Sequence, residues 1–154
     1  MTLTFAQATN SPAMPSANNL HRFVAAQETA YSTALSEIKS GRKRSHWMWY
    51  IFPQIKGLGH SETARLYALQ DTREAEAFLQ HPTLGPRLLE ISEALLKLDS
   101  NDAYYVLGRP DDLKLKSCMT LFDAMQPGAV FQQVLDKFYG GIKDVKTLEV
   151  ITLR

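Results

Sequence analysis

Apolar residues recur at three- and four-residue spacings over long stretches of the chain, and this spacing places them on one face of an α-helix. Stripes of this kind predict longer helices over about residues 20–39, 86–98, 110–125 and 130–139. Shorter helices are predicted behind polar capping residues, at about residues 61–70, 71–80, 102–107 and 145–151. No repeat, low-complexity block or internal linker interrupts the pattern. The sequence therefore predicts an all-α fold, a single compact multihelical domain of about seven or eight helices, several of them short.

Capping residues indicate where some of these helices begin and end. Asn18 or Asn19 can cap the start of the first helix, and Gly41 can end it in the left-handed conformation. Asp71 is followed three residues later by Glu74, which is the spacing of a capping box. In the second long helix-forming stretch, Pro86 suits the first helical position because proline has no N–H to satisfy there.

The stretch from Ser45 to Pro53 is the densest aromatic segment of the chain. Its continuous apolar character suits either a buried strand or a buried helical turn, and periodicity does not decide between them. Pro53 disfavours helical geometry at the residue before it, and Gly57 and Gly59 then permit backbone conformations that other residues resist. We expect a short buried segment followed by an irregular loop.

Residues 1–19 contain no charged residue and no histidine, and Pro12 and Pro15 interrupt any apolar run. We expect a flexible tail here, with residues 20–154 forming the domain. The tail lacks the positive start and continuous apolar core of a secretory signal. No other stretch approaches the roughly 18 apolar residues of a membrane span. These features predict a soluble, cytoplasmic protein with no membrane partner.

The amino-acid composition excludes some classes of protein and disfavours some classes of binding partner. Seventeen Lys and Arg residues stand against sixteen Asp and Glu residues, a net charge of +1, so no global field favours nucleic acid or an anionic membrane. The chain is 45% hydrophobic and 21% charged, which excludes a fully disordered protein. Its one cysteine, Cys118, excludes an intramolecular disulfide and any cysteine-rich zinc site.

A local basic run, Arg42 to Arg44, lies beside His46, Trp47 and Trp49. Cations that neutralise phosphate next to flat rings are the combination that single-strand nucleic-acid binders use. The same residues also fit a helix end followed by buried core, because cations favour helix C-termini. Since acidic residues balance the total charge, nucleic acid is not the favoured partner.

A second charged block begins the helix near residue 110. Asp111 can cap this helix and Asp112 fits its first turn, which needs no ligand. Lys114 and Lys116, however, place positive charge near a helix N-terminus that prefers anions. That arrangement suggests a bound phosphate or a buried partner.

No histidine has the spacing of a known metal motif, so we expect neither a metal site nor a cofactor. A single histidine can still move a proton near neutral pH, and His60 beside the Gly57–Gly59 turn is the better loop candidate. Ser61 and Ser117 lack a nucleophile-elbow context, and Cys118 falls within an amphipathic helix, so covalent catalysis is disfavoured.

Four blocks of unusual composition resemble the DUF1810 family: Gly41–Gln54, Gly57–Ser61, His81–Leu88 and Pro110–Ser117. The resemblance covers Leu20 to Ile151. It implies a compact, all-helical domain of bacterial type, and it implies no known reaction. Members often carry the label calpastatin, but that class of inhibitor is intrinsically disordered, whereas this chain has a hydrophobic content of 45%.

The family pattern implies a shared pocket for the distinctive polar and aromatic residues, namely His46, Trp47, Trp49, Gln54, His60 and Asp112. A partial likeness, over Phe131 to Ile151, is to NADAR-type proteins, which process nucleotides containing ADP-ribose. The Asp-x-x-Trp-Gly type of ending is missing here, so a glycosidase mechanism does not carry over.

We therefore favour a small-ligand pocket for a phosphorylated or nucleotide-like molecule, with ADP-ribose-related compounds among the candidates. In this hypothesis an indole ring stacks on the ligand, a cation meets its phosphate, and one side chain handles a proton. The candidates for these three roles are Trp47 or Trp49; Arg44, Lys114 or Lys116; and His60 or Asp112. The alternative is a non-catalytic protein-binding or scaffold domain, in which the aromatic block is core and the loops form the partner surface.

Overall fold

The computed structural model describes residues 19–152, and nine helices lie within that range. In chain order they are α1 His21–Lys39, α2 Met48–Ile51, α3 Glu62–Leu66, α4 Thr72–Gln80, α5 Leu84–Leu96, α6 Ala103–Leu107, α7 Asp111–Met125, α8 Val130–Tyr139 and α9 Val145–Thr152. The all-α prediction is confirmed. The predicted tail, up to residue 18, lies outside the described residues. None of the described helices is long and apolar enough to cross a membrane.

The helices pack around a file of phenylalanine rings that crosses the core. Phe23 of α1 meets Phe78 of α4 edge to face at 5.1 Å between ring centroids. Phe122 of α7 then lies 5.7 Å from Phe78 and 5.7 Å from Phe131 of α8. All four rings are fully buried. Edge-to-face and tilted pairs are favourable beyond the apolar area they bury, so this file links four helices that are distant in the chain.

The aromatic segment after α1 is a buried helical turn, which resolves the alternative that the pattern leaves open. Trp47, Ile51 and Phe52 are almost completely buried around α2. The chain then passes into a loop whose only regular pairing is an isolated parallel bridge between Ile55 and Leu69.

That pairing explains why α3 ends earlier than the sequence predicts. The helix expected to reach residue 70 stops at Leu66. Beyond it, the N–H of Leu69 donates to the carbonyl of Gln54 at 2.9 Å, and the N–H of Lys56 donates to the carbonyl of Leu69 at 2.8 Å. Because these backbone groups are satisfied by the neighbouring loop, the segment has no need of helical hydrogen bonds.

Two predicted helix starts also differ. The cap residue of α1 is Leu20, and it makes no side-chain capping bond, so Asn19 does not cap this helix. The helix predicted to begin at Pro86 begins two residues earlier, at Leu84. There, Nδ1 of His81 accepts hydrogen bonds from the N–H groups of Thr83 and Leu84 at 3.0 and 3.2 Å. This ring satisfies donors that a helix start leaves open, so the helix extends by one more half-turn.

The absence of a side chain at Gly85 allows α5 to approach the end of α4 closely. A Cβ atom built on Gly85 would lie 2.0 Å from the carbonyl oxygen of Leu79. We predict that Gly85→Ala lowers the free energy of unfolding by about 1–3 kcal/mol, because the helices must separate. Urea unfolding measures this change. Glu93→Ala, on the exposed side of the same helix, is the control and should stay within about 0.5 kcal/mol of the parent; equal effects would contradict the close approach.

Candidate functional site

An open cleft of about 400 Å³ lies between the chain segment after α1 and the start of α7. We call it the Trp49 cleft. Its lining residues are Lys43, Arg44, Ser45, His46, Met48, Trp49, Leu107, Arg109, Pro110, Asp111 and Lys114. Four of these side chains are cationic and one is a carboxylate, although the whole chain carries a net charge of only +1. The basic residues are therefore concentrated locally.

The carboxylate of Glu37, in the last turn of α1, fixes the segment that forms one wall of the cleft. Its Oε1 accepts hydrogen bonds from the N–H of Arg44 at 2.9 Å and the N–H of Ser45 at 3.1 Å. The same oxygen accepts from the indole Nε1 of Trp47 at 2.9 Å, while Oε2 accepts from the hydroxyl of Ser45 at 2.7 Å. One side chain thus orders four donors from three residues.

These bonds also determine the pKa of Glu37. Burial alone would raise it, but the hydrogen bonds from Arg44, Ser45 and Trp47 favour the charged form and lower the pKa to about 2. Glu37 is therefore ionised throughout the physiological range, and it compensates part of the positive charge of the neighbouring basic run.

The opposite wall comes from the start of α7, where Asp111 lies between two lysines. Lys43 Nζ is 2.9 Å from Asp111 Oδ2, and Lys114 Nζ is 3.9 Å from Oδ1. The side chain of Lys43 is only 8% exposed, so this ion pair belongs to the floor of the cleft. Since one carboxylate serves two ammonium groups, one positive charge of the three-residue cluster is left uncompensated.

Lys114 also separates the cleft from a smaller crevice. Its ammonium lies 5.1 Å from the centroid of the Trp49 ring, within the range of a cation–π interaction. Trp49 and Lys114 line both cavities, and Gln54 and Gly59 lie on the far side. The crevice has room for about a single water molecule, with a volume near 10 Å³.

Asp112 has a different environment from its neighbour Asp111. Its carboxylate is buried and binds Arg109 through both oxygens, at 2.9 Å for the shortest contact. It also accepts from the N–H of Leu113 at 2.9 Å, and its backbone carbonyl accepts from the hydroxyl of Tyr139. Pro110 is the cap residue of α7, so Asp111 does not cap the helix as predicted, and both aspartates lie in the first turn.

The structure brings some of the predicted site residues together. Arg44, His46, Trp49 and Lys114 line the Trp49 cleft, and Gln54 lines the crevice behind it. Trp47 differs from the expectation. Its ring is 1% exposed and donates to Glu37, so it supports the cleft from the core and offers no face for a ligand to stack on.

Three other predicted residues lie elsewhere. His60 is exposed and lines neither the cleft nor the crevice. Lys116 points to the ring of Tyr139, 6.0 Å from its centroid. Asp112 does not line the cleft, but it binds Arg109, which does. The lysines that seemed misplaced at a helix start therefore have partners within the chain: Asp111 and Trp49 for Lys114, and Tyr139 for Lys116.

Sequence reasoning missed Glu37 and Arg109, and it included Lys43 only as a member of the basic run. For Glu37 a signal exists, because an acidic residue in the last turn of a helix opposes the preference for cations there. Such a residue just before a basic run indicates an intramolecular partner. Among residues 19–152 no group of three His, Cys, Asp or Glu side chains is arranged to hold a metal ion.

Comparison with known proteins identifies the family. The model of the family described as "Protein of unknown function (DUF1810)" matches residues 17–151. The chain belongs to the DUF1810 family. This DUF1810 chain is also similar to a solved structure, that of the conserved hypothetical protein Rv1873 from Mycobacterium tuberculosis. The two share 43% identity with a TM-score of 0.83, over 88% of this chain and 98% of the other. No curated protein matches this DUF1810 chain significantly.

Acid titration tests the role of Glu37. A carboxyl whose folded pKa of about 2 lies below its ordinary 4.5 contributes stability above pH 4.5, and this contribution is lost as the pH falls through 2. We predict that Glu37→Gln costs about 1 kcal/mol at pH 7, and that the difference from the parent shrinks between pH 5 and pH 2. Urea unfolding at each pH gives the comparison.

The control for this titration is Glu76→Gln, which removes an exposed carboxylate of α4 that makes no hydrogen bond or ion pair in the described part of the chain. It should change stability by less than about 0.5 kcal/mol at every pH. A Glu37→Gln difference that stays constant with pH would show that the carboxylate charge is not what holds the segment.

Proposed function

We propose that this DUF1810 domain binds a phosphorylated small molecule with a flat ring, such as a nucleotide, in the Trp49 cleft. The observation that carries the proposal is the concentration of cations around a half-buried tryptophan. A cleft near 400 Å³ lies within the usual size range of small-ligand sites. Cations meet phosphate, and an indole ring offers stacking area for a base or another planar group.

Arg44 is the leading phosphate contact. Its side chain is exposed, and no carboxylate of residues 19–152 lies within 4 Å of its guanidinium. Among the described residues, its guanidinium makes one hydrogen bond, a long contact of 3.4 Å to the Ser40 hydroxyl. Lys114 is the second contact, since it shares Asp111 with Lys43. A guanidinium with free donors can bind phosphate in the bidentate mode.

The proposal concerns binding and assigns no bond-breaking step. His46 is the histidine that lines the cleft, and the predicted proton-transfer role of His60 is not supported by its place outside it. Asp112 is already engaged by Arg109 and by a backbone N–H group. Its arrangement suits a positioning role for Arg109 better than exchange of a proton with a ligand.

A thermal-shift panel tests the proposal with AMP, ADP, ADP-ribose, NAD and glucose 6-phosphate, and with adenosine as the control that lacks phosphate. A ligand at 100 times its Kd stabilises the folded state by about 2.7 kcal/mol. For a domain of this size that raises the melting temperature by about 5–10 °C. We expect a shift with at least one of the nucleotides, and a much smaller shift with adenosine, which lacks phosphate, or with glucose 6-phosphate, which lacks a flat ring. No shift across the panel would overturn the proposal.

Arg44→Ala then locates the site. We expect it to weaken binding of AMP, measured by calorimetry, by about tenfold or more, because a hydrogen bond to a charged group contributes roughly 1.5–3 kcal/mol. Arg73→Ala, which removes an exposed arginine of α4 outside the cleft, is the matched control. If the two substitutions have the same effect, the phosphate does not bind at Arg44.

A different observation favours the second candidate function, a protein-binding domain. Val145 and Leu148 are exposed on α9 and line a shallow apolar groove of about 380 Å³. Contiguous exposed apolar area is typical of protein contacts. This function predicts an unchanged melting temperature with every compound of the panel, and reproducible recovery of one partner protein that Leu148→Asp abolishes.

A further inference from the structure

A second cleft, of about 430 Å³, adjoins the Trp49 cleft on the side of α6. We call it the Tyr105 cleft, and its walls include Arg42, Tyr104 and Tyr105. Lys43 and Leu107 line both clefts, so the two cavities meet along these residues. The basic and aromatic surface therefore continues from one cleft into the other.

The two tyrosines are unusual because large rings are normally buried. Tyr104 and Tyr105 are 59% and 54% exposed. The guanidinium of Arg42 lies 5.0 Å from the centroid of the Tyr105 ring, and that of Arg109 lies 5.6 Å from the Tyr104 ring. Each ring is thus accompanied by a cation, the same pairing that Trp49 and Lys114 make in the first cleft. Exposed rings with cation partners are suited to stacking on planar groups.

The boundary between the clefts is rigid and close to neutral. The N–H of Lys43 donates to the carbonyl of Val106 at 2.7 Å, and its ammonium is bound to Asp111. The residues on either side of it along the chain are exposed arginines. Arg42 lines the Tyr105 cleft, and Arg44 lines the Trp49 cleft. Two guanidinium groups therefore flank a fixed boundary, one in each cleft.

Neither of these two guanidinium groups forms an ion pair in the part of the chain that the structure describes. No carboxylate of the described chain lies within 4 Å of Arg42 or Arg44. Asp102 adds one carboxylate to the Tyr105 cleft; its Oδ1 accepts a hydrogen bond from the N–H of Tyr105 at 3.2 Å as the cap of α6, and it forms an ion pair with neither arginine. Two guanidinium groups without an ion-pair partner among the described residues, at the meeting point of two aromatic clefts, match a ligand with two anionic groups at its centre and a ring at each end.

We propose that the two clefts form one two-part site for a dinucleotide, with one base beside Trp49, the other beside Tyr105, and the diphosphate between Arg42 and Arg44. This inference rests on the proposed function of the Trp49 cleft. A longer single strand is less well matched, because it needs a basic track beyond two clefts and the whole chain is close to neutral.

Calorimetry with diadenosine diphosphate and with AMP tests the two-part site on the full chain. We expect diadenosine diphosphate to bind at least about tenfold more tightly than AMP. Tyr105→Ala should weaken diadenosine diphosphate about five- to hundredfold, the loss expected for one stacked base. The same substitution should leave AMP binding unchanged. Tyr105→Phe keeps the ring and should retain the affinity of the parent, which distinguishes stacking from a general loss of structure.

Each other outcome has a distinct meaning. In one outcome AMP binding depends on Arg44, diadenosine diphosphate binds no more tightly than AMP, and Tyr105→Ala has no effect. This outcome overturns the two-part site and leaves the proposed function standing. If neither compound binds, the two-part site is overturned, and the thermal-shift panel decides separately whether the proposed function stands. An oligothymidylate of eight nucleotides that binds more tightly than diadenosine diphosphate, with affinity falling steeply as salt rises, overturns the dinucleotide assignment and identifies a single-strand surface instead.

Discussion

The carboxylate of Glu37 is the interaction on which the candidate site depends. The segment after α1 carries three consecutive cations, Arg42 to Arg44, and these like charges repel one another. Four hydrogen bonds to one carboxylate hold its backbone and the Trp47 ring against the core, at distances between 2.7 and 3.1 Å. Because the backbone of this segment is ordered, its arginine side chains project from fixed positions and the segment forms one wall of the cleft. The buried Trp47 ring connects that wall to the hydrophobic core.

The acidic and basic side chains around the cleft differ in how they are paired. Acidic residues near it are already engaged within the chain: Glu37 by the basic segment, Asp112 by Arg109, and Asp111 by two lysines. Of the arginine and lysine side chains that line the two clefts, only Arg42 and Arg44 have no ion-pair partner among the described residues, and these clefts also contain the partly exposed rings of Trp49 and Tyr105. A nearly neutral protein can therefore present a strongly basic surface in one place, and net charge alone gives no indication of it.

Helical periodicity was sufficient to predict the long helices, because stripes such as that of α8 need only local spacing. It failed where hydrogen bonds outside the helical pattern decided the outcome. The end of α3 is determined by pairing of Leu69 with a loop, and the start of α5 by the ring of His81. In the site, Arg44, Trp49 and Lys114 could be predicted from residue type, but Trp47 could not be separated from Trp49, because both indoles lie in the same apolar run and only the tertiary fold buries one of them.

The most direct test of this account is the affinity of AMP for the Glu37→Gln variant, measured by calorimetry at pH 7. Glu37 does not line the cleft, and removing its negative charge near cations would by Coulomb's law alone tighten the binding of an anion. If Glu37 orders the segment, the affinity becomes about tenfold weaker instead, because the released segment must be ordered again when the ligand binds. An affinity that is unchanged or tighter would contradict the central role of Glu37.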